Sequence, residues 1–428
     1  MADALHDVGG ALAAATGAPL DDVVGPAPVQ GGVVGAIPSP RTPVIPEPPT
    51  VVRLQGLLDD FDEHLLDQGV AASRSTVIDA LAAYLSSQLL LFAGPSGTGK
   101  STLARALTTF FCHPDSTRVI EARRQLIGPE DVTGYESPLV PGTFFSARTL
   151  EPLRQLASPG GGSPALLVEE MNLSPIEGYL APLVHGLSGT SNDQVRWELH
   201  AGSTTMVPKA LVLRPYPRLL GTTNIDSTAH APAPKVTARA SVMLLEAGPD
   251  ADVGGAIASL AVPASRTGHM VAAGAPLVGD PCAALAEHAV DHTQLGDAIT
   301  AIIDAAEGPS GPSLRVPRRQ LQQMTLYVAW FALLFQAEDG RGSPPAVSHE
   351  LYRMGAENAL LHFVLPNVPG LDLGRVLRQL STAGLLLTAG TAADGVGPVL
   401  GDRVVRLGGS GDAALPGGDA LDFWERLS

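Results

Sequence analysis

The chain has 428 residues, 45% of them hydrophobic, which is enough to bury the cores of two or three structural units of ordinary size. Its net charge is -16 and no run rich in lysine and arginine occurs, which argues against a surface that itself grips a nucleic-acid backbone. The longest apolar run, within Met324–Phe335, is too short to span a bilayer, and the amino terminus lacks the features of a signal peptide. Together with two isolated cysteines, Cys112 and Cys282, these features predict a cytoplasmic protein without a membrane contact.

The first 50 residues predict an arm without a fold of its own. They are rich in alanine, glycine, proline and valine, and the prolines over 26–49 exclude a stable helix there. We therefore predict residues 1–50 to be disordered or extended, with room for a short helix over Ala2–Ala15.

Residues 51–250 predict two helices followed by an alternating α/β core. The helices are Gln55–Gln68 and Ser73–Ser87, the second with Ser73 or Ser75 as its N-cap. Short apolar runs then alternate with helical segments, a pattern typical of a central parallel sheet. A hairpin insertion is predicted over 193–218. The strand candidates of the sheet are Leu89–Ala93, Arg118–Glu121, Ala165–Val168, Leu219–Thr222 and Val242–Leu245.

The carboxyl-terminal part predicts a helical lid domain over 281–428. A connector rich in glycine and proline, 251–280, separates it from the core. A glycine-rich tail runs from Gly384 to Gly418 and shows little periodicity. The helix candidates of the lid are Ala283–Ala305, Arg318–Gln336 and a segment around Glu350–Leu365.

Residues 94–101 read Gly-Pro-Ser-Gly-Thr-Gly-Lys-Ser, a complete phosphate-binding loop between a predicted strand and a predicted helix. The glycines let backbone N–H groups close around phosphate oxygens, and the helix amino terminus adds its positive end. Lys100 is expected to reach the β- and γ-phosphates, and the hydroxyl of Ser101 to ligate Mg²⁺. The nucleotide-contacting residues are then Gly94, Pro95, Ser96, Gly97, Thr98, Gly99, Lys100, Ser101 and Thr102.

Two further strands end in polar side chains. Ala165–Val168 is followed by Glu169 and Glu170. Alone, such a pair is more often a solvated strand end, but after a phosphate loop it predicts one acid in the Mg²⁺ sphere, Glu169, and one that polarises the attacking water, Glu170. Leu219–Thr222 is followed by Asn224; on a strand between those of the loop and the acids, this amide would lie beside the γ-phosphate.

Together these elements resemble the AAA+ ATPases, and more narrowly their McrB-like branch, which is associated with modification-dependent restriction. The resemblance covers roughly residues 70–370, and it implies an AAA+ phosphate-loop core of the α/β class followed by a helical lid. The phosphate loop alone indicates only nucleotide binding in general. The segments Glu-Glu-Met-Asn and Gly-Thr-Thr-Asn-Ile-Asp together restrict the resemblance to this branch. The segments that carry it are Gly94–Thr102, Leu126–Tyr135, Val168–Asn172, Gly221–Asp226 and Pro234–Ala240.

The resemblance also implies roles for side chains that spacing alone does not assign. Asn224 would be the first sensor, and Arg239 an arginine finger reaching a neighbouring subunit's γ-phosphate. Arg318 would be the second sensor and contact nucleotide, although the adjacent Arg319 could serve instead. A finger supplied by a neighbour implies a ring, usually of six subunits. In such a ring, ATP hydrolysis would depend on assembly.

The chain departs from the family pattern at three places. Glu169 stands where AAA+ proteins most often have Asp, and Ala238 where an Asp often precedes the finger. Asn224 is followed by Ile-Asp rather than by the spacing of GTP-using McrB proteins, which favours ATP over GTP.

The resemblance leaves three functions open. Because only the arm and two helices precede the phosphate loop, we expect no DNA-reading domain, and DNA would be reached only through a partner. The first function is the motor of a restriction or phage-defence system that drives a separate nuclease or effector subunit. The second is a MoxR-like chaperone that remodels a protein. The third is a module that uses nucleotide as an assembly signal, with little turnover.

Overall fold

The structure of the protein is a computed structural model. It describes residues 51–70, 72–112, 117–140, 142–157, 164–187, 194–202, 207–214, 216–225, 231–245, 285, 290–309, 314–338, 347–383 and 423–424. The predicted arm, the connector at 251–280, the tail at 384–418 and Asp226 lie outside these residues, as does the boundary between the predicted core and lid.

The described residues form twelve α-helices and nine strands, numbered in chain order. The strands are β1 (Leu89–Gly94), β2 (Thr117–Glu121), β3 (Gly134–Glu136), β4 (Phe144–Ser146), β5 (Ala165–Glu169), β6 (Val195–Glu198), β7 (Ala210–Leu213), β8 (Arg218–Asn224) and β9 (Ser241–Leu244). The helices are α1 (Val51–Asp67), α2 (Arg74–Ser86), α3 (Lys100–Phe111), α4 (Pro129–Thr133), α5 (Leu150–Ala157), α6 (Ile176–Tyr179), α7 (Ala181–Gly186), α8 (Pro234–Thr237), α9 (His292–Glu307), α10 (Arg318–Glu338), α11 (His349–Ala359) and α12 (Gly370–Thr382). A π-helical turn, Leu360–Val364, follows α11, and short 3-10 turns occupy Met171–Leu173 and Leu365–Asn367.

Five strands form one parallel sheet in the order β2-β5-β8-β1-β9. Strands β1 and β9 are buried along their whole length, which explains their nearly continuous apolar sequences. All five strand predictions are confirmed to within two residues at each end. The predicted place of β8, between the strand of the phosphate loop and the strand of the paired acids, is also confirmed.

Two antiparallel hairpins lie outside this sheet. The insertion predicted over 193–218 is confirmed as the pair β6–β7. The pair β3–β4 was not predicted, and its strands are only three residues long. This hairpin exposes four large apolar side chains, which are Tyr135, Leu139, Val140 and Phe145.

The predicted helices are confirmed, with two corrections in the carboxyl-terminal part. Within the predicted helix Ala283–Ala305 a new helix, α9, begins at His292, because the Asp291 carboxylate accepts hydrogen bonds from the backbone N–H groups of Thr293 and Gln294 and caps it there. Helix α12 was missed, although its buried side chains recur at helical spacing. These side chains are Leu373, Val376, Leu377 and Leu380.

A buried polar cluster joins the carboxyl-terminal helices to the sheet. Asp79 of α2, Ser241 of β9, Tyr327 of α10 and His362 of the π-helical turn are all fully buried. The Tyr327 hydroxyl donates to Oδ1 of Asp79, and His362 Nε2 lies 3.1 Å from the same oxygen. His362 Nδ1 is hydrogen-bonded to the Ser241 hydroxyl at 2.9 Å. Three separate elements therefore meet at one carboxylate, and β9 is linked to them through His362.

Within the part of the chain that the structure describes, no helix has the length and apolar character that crossing a bilayer requires.

Candidate nucleotide-binding site

The phosphate loop connects β1 to α3 and needs glycine at three positions. Gly97 and Gly99 have φ angles of 85° and 82°, in the left-handed region that side chains disfavour. At Gly94, a Cβ atom would lie 2.1 Å from the carbonyl oxygen of Leu245, which follows β9. The strand next to β1 therefore fixes one end of the loop, and Gly99 turns the chain into α3 at the other.

Lys100 is held inside the loop that it belongs to. Its side chain is buried, and Nζ donates to the carbonyl oxygens of Gly94 at 2.9 Å and Pro95 at 2.5 Å. The Thr98 hydroxyl donates to the same Pro95 oxygen at 3.0 Å. Ser101 follows on the first turn of α3 and is half-buried. The ammonium group and the first turn of the helix thus lie together at the carboxyl end of β1.

The strand β5 ends at Glu169, and the chain turns sharply at Glu170. Glu170 has φ 51° and ψ 41° and is the one non-glycine residue with a positive φ among those the structure describes. Its backbone N–H donates to the Thr222 hydroxyl on the adjacent strand β8 at 3.0 Å. A left-handed conformation costs an ordinary residue of the order of 1 kcal/mol, so the surrounding structure holds Glu170 in it. On a regular strand the side chains of Glu169 and Glu170 would point to opposite faces of the sheet. The turn at Glu170 interrupts this alternation.

The carboxylate of Glu169 has a partner that the sequence analysis missed. Arg105 of α3 donates from Nε to Oε1 and from Nη2 to Oε2, both at 2.9 Å. The available signal was its spacing, because a residue four positions after Ser101 lies on the same face of the helix. Glu169 is therefore charge-paired to a side chain of α3.

Asn224 ends β8 and lies in register with Gly94 at the end of β1. The buried Asn172, three residues after Glu169, donates from Nδ2 to the Asn224 carbonyl oxygen at 2.9 Å. Strands β1, β8 and β5 are adjacent and parallel, so the loop, the amide and the acids lie along one edge of the sheet. The carboxyl edge of a parallel sheet is where open α/β folds bind ligands.

Arg239 and Arg319 lie together, away from this edge. Arg239 precedes β9, and its guanidinium donates to the Lys235 carbonyl oxygen. The Arg319 guanidinium donates to the Leu187 carbonyl oxygen, and burial together with the nearby charge of Arg239 lowers its pKa. Arg318, next to it, is exposed.

A contact one turn further along α10 locates this arginine pair. Gln323 donates from Nε2 both to the Arg239 carbonyl oxygen and to the Ser87 hydroxyl, each at 3.3 Å. Ser87 lies two residues before β1, whereas the phosphate loop follows the other end of that strand. The structure therefore brings Arg239 and Arg319 to each other at the amino edge of the sheet and not to the loop of the same chain.

The side chains at the carboxyl edge suit Mg²⁺ bound with a nucleotide. The hydroxyl of Ser101 and the carboxylates of Glu169 and Glu170 are hard oxygen donors, the ligand type that Mg²⁺ prefers. No group of three or more His, Cys, Asp and Glu side chains placed to hold a metal occurs among the described residues. Magnesium in nucleotide sites takes only one or two protein ligands and completes its shell with phosphate oxygens and water. The donor set therefore fits this form of binding.

Comparison with known proteins adds little to this geometry. No family model matches the sequence, and no curated protein does. Among solved structures, one named a "putative ATPase" from Cytophaga hutchinsonii is similar, with 12% identity and a TM-score of 0.44; the match covers 74% of this chain and 88% of that one. The assignment of a function therefore depends on the loop and the strand ends themselves.

Proposed function

We propose that the protein is an AAA+ ATPase of the McrB-like kind, which hydrolyses ATP, with GTP as the alternative, in a ring of identical subunits. One observation carries the proposal. Three adjacent parallel strands present, at one edge, a phosphate loop with Lys100 inside it, Asn224, and the acids Glu169 and Glu170. The first is a binding element for phosphates, and the others are the groups that hydrolysis of a phosphoanhydride requires.

Each side chain then has a chemical role. The loop N–H groups and Lys100 bind the phosphates, and Ser101 and Glu169 hold Mg²⁺, which neutralises charge on the phosphate oxygens. Glu170 accepts a proton from the attacking water and Asn224 orients that water. The left-handed turn at Glu170 supports its assignment as the base, because strained backbone is concentrated at functional positions.

Arg239 and Arg319 are proposed to complete the site of a neighbouring subunit. Burial and the nearby charge of Arg239 both lower the pKa of Arg319, and an anion between the two guanidinium groups would relieve their repulsion. Because they lie at the opposite edge from their own loop, the γ-phosphate that they would meet belongs to another chain. This favours Arg319 over Arg318 as the second sensor. Hydrolysis would then require assembly, as for arginine fingers supplied in trans.

The ring is proposed to drive a separate nuclease or effector subunit in DNA restriction or phage defence, with DNA contacted through that partner. The net charge of -16 supports an indirect contact with DNA. The MoxR-like alternative, a chaperone that remodels a protein, is favoured by the apolar side chains exposed on the β3–β4 hairpin, since such patches mark protein contacts. The assembly module with little turnover is favoured by Glu169, whose carboxylate already has a cationic partner.

Replacing Lys100 tests whether the loop binds nucleotide. We expect Lys100→Ala to weaken binding of Mg·ATP by at least about tenfold, because a buried charge-assisted contact to phosphate is lost. The same change should abolish any increase in solution molar mass that Mg·ATP causes in the wild type. Mass measured without nucleotide, with Mg·ATP and with Mg·GTP also identifies the nucleotide.

The matched control is Lys209→Ala, which removes an exposed lysine of the β6–β7 insertion and should bind and assemble as the wild type does. Unchanged nucleotide affinity in Lys100→Ala would refute the loop as the binding site. A wild-type mass that is the same under all three conditions would contradict nucleotide-driven assembly of this chain alone.

A further inference from the structure

The ion pair between Arg105 and Glu169 connects the helix of the phosphate loop to the strand of the acids. It is bidentate, with three nitrogen–oxygen distances of 2.8 to 2.9 Å. The Glu169 side chain is 15% exposed and that of Arg105 is 58% exposed. The carboxylate is thus largely inside the site, while the guanidinium covers it from the solvent side.

Glu169 lies among other carboxylates. It pairs in register with Glu121 at the end of β2, and Glu170 follows it in the chain. Partners in register on parallel strands point to the same side of the sheet, so Glu121 and Glu169 repel each other. Arg105 supplies the positive charge that offsets this repulsion at the strand end.

The bidentate contact from the Arg105 guanidinium, here called the fork, also restricts the longer and more flexible side chain of Glu169. Glu169 has one more rotatable bond than the aspartate common at this position in the family, so holding its carboxylate in one place costs more conformational entropy. A guanidinium that donates to both oxygens fixes the position and the plane of the carboxylate. Each oxygen keeps a further lone pair, so the carboxylate can still accept a hydrogen bond from another donor.

We propose that Arg105 is a positioning residue, which acts through Glu169 to set how strongly Mg²⁺ contributes to nucleotide binding. This inference rests on the proposed function and adds a residue to its site. Arg105 itself contacts neither the nucleotide nor the metal. Its place four residues after Ser101 keeps the hydroxyl and the carboxylate, the two proposed magnesium-holding groups, on the same face of α3.

Nucleotide affinity measured with and without metal distinguishes this positioning role from a direct contact with the nucleotide and from an ordinary surface ion pair. Dissociation constants for ATP are measured in Mg²⁺ and in EDTA, using Glu170→Gln as the parent to suppress turnover. In Arg105→Ala we expect ATP to bind about tenfold more weakly in Mg²⁺, which is the typical effect of removing a partner of a metal-holding group. In EDTA we expect the same affinity as in the parent. Arg105→Lys should behave like Arg105→Ala, because an ammonium keeps the charge but cannot form the fork.

Two further variants act as controls. In a Glu169→Ala parent, Arg105→Ala should have no additional effect on affinity, since its action runs through that carboxylate. Arg196→Ala breaks another exposed arginine–glutamate contact, the 2.6 Å pair with Glu198 on β6, and should leave both affinities unchanged.

Several results would overturn the inference. An equal loss in EDTA, or a loss that persists in the Glu169→Ala parent, would mean that Arg105 contacts the nucleotide directly. Unchanged affinity in Mg²⁺ would reduce the ion pair to an ordinary surface contact, while the proposed function would stand. If the Glu170→Gln parent shows no binding that Lys100→Ala removes, the proposed function is wrong and this inference fails with it.

Discussion

Glu170→Gln should lower the rate of phosphate release by about 10²–10⁴-fold and leave the affinity for Mg·ATP within about threefold of the wild type. The amide keeps the size of the side chain but cannot accept the proton of the attacking water. In the proposed site other residues, among them Lys100 and Ser101, hold the phosphates and the metal, so binding should remain. Single-turnover phosphate release and nucleotide titration, on the same preparation, separate the two effects.

Glu177→Gln is the matched control for this change. Glu177 lies on α6, in the segment that follows the same strand, and it is half-buried and outside the proposed chemistry. It should keep wild-type turnover. Unchanged turnover in Glu170→Gln would rule out Glu170 as the base. A large loss of nucleotide affinity would show instead that its left-handed turn serves to build the site.

Asp79→Ala should destabilise the protein by about 3–5 kcal/mol, the usual cost of removing one partner of a buried charged contact. The Tyr327 hydroxyl would lose its acceptor and His362 the oxygen 3.1 Å from its Nε2, with all these side chains fully buried. In a protein of 428 residues the change corresponds to a midpoint of thermal unfolding lower by roughly 3–6 °C. Thermal unfolding followed by circular dichroism measures it.

Two smaller changes on α10 provide comparisons for the destabilisation expected of Asp79→Ala. Tyr327→Phe removes only the hydroxyl and should cost about 1–3 kcal/mol, because Asp79 loses a buried donor. Thr325→Ala, two residues away, removes a hydroxyl that donates within its own helix at 2.7 Å, and should change stability by about 0.5 kcal/mol or less. If all three variants unfolded at the wild-type temperature, the buried cluster would not hold the helices to the sheet.

The parts of the site that depend on local sequence could be predicted. The phosphate loop needs glycines at fixed offsets and a strand and a helix on either side, and all of these are read within a dozen residues. The sequence analysis also anticipated the position of β8, because a strand between those of the loop and the acids would put Asn224 beside the γ-phosphate. The parallel sheet then placed Glu169 on the other side of β8, as the structure shows.

The features that sequence missed depend on contacts between distant segments. Arg105 and Glu169 are 64 residues apart, and only the packing of α3 against β5 brings them together. The proximity of Arg239 to Arg319 likewise requires α10 to lie against the amino edge of the sheet. The left-handed turn at Glu170 has no composition signal, since glutamate is not among the residues enriched in that conformation.

The predictions for α9 and α12 were wrong for a different reason. Apolar residues before Asp291 extended the helical pattern of α9, but the carboxylate of Asp291 caps the backbone and sets its start. Helix α12 was not predicted, because Gly370 and Gly374 obscured the helical spacing of its apolar residues, which are buried in the structure. One capping residue thus outweighed the periodicity in α9, and two glycines concealed it in α12.

Complementation between two inactive variants tests the central claim most directly, namely that the site of one subunit is completed by the arginine of another. Glu170→Gln keeps nucleotide binding but lacks the base, and Arg239→Ala lacks the finger, so each alone should hydrolyse ATP at least about 10²-fold more slowly than the wild type. Mixed in equal amounts, they should recover activity, because about a quarter of randomly formed interfaces join an intact Glu170 to an intact Arg239. A mixture that stays inactive beside an active wild type, or an Arg239→Ala protein that is active alone, would contradict the account.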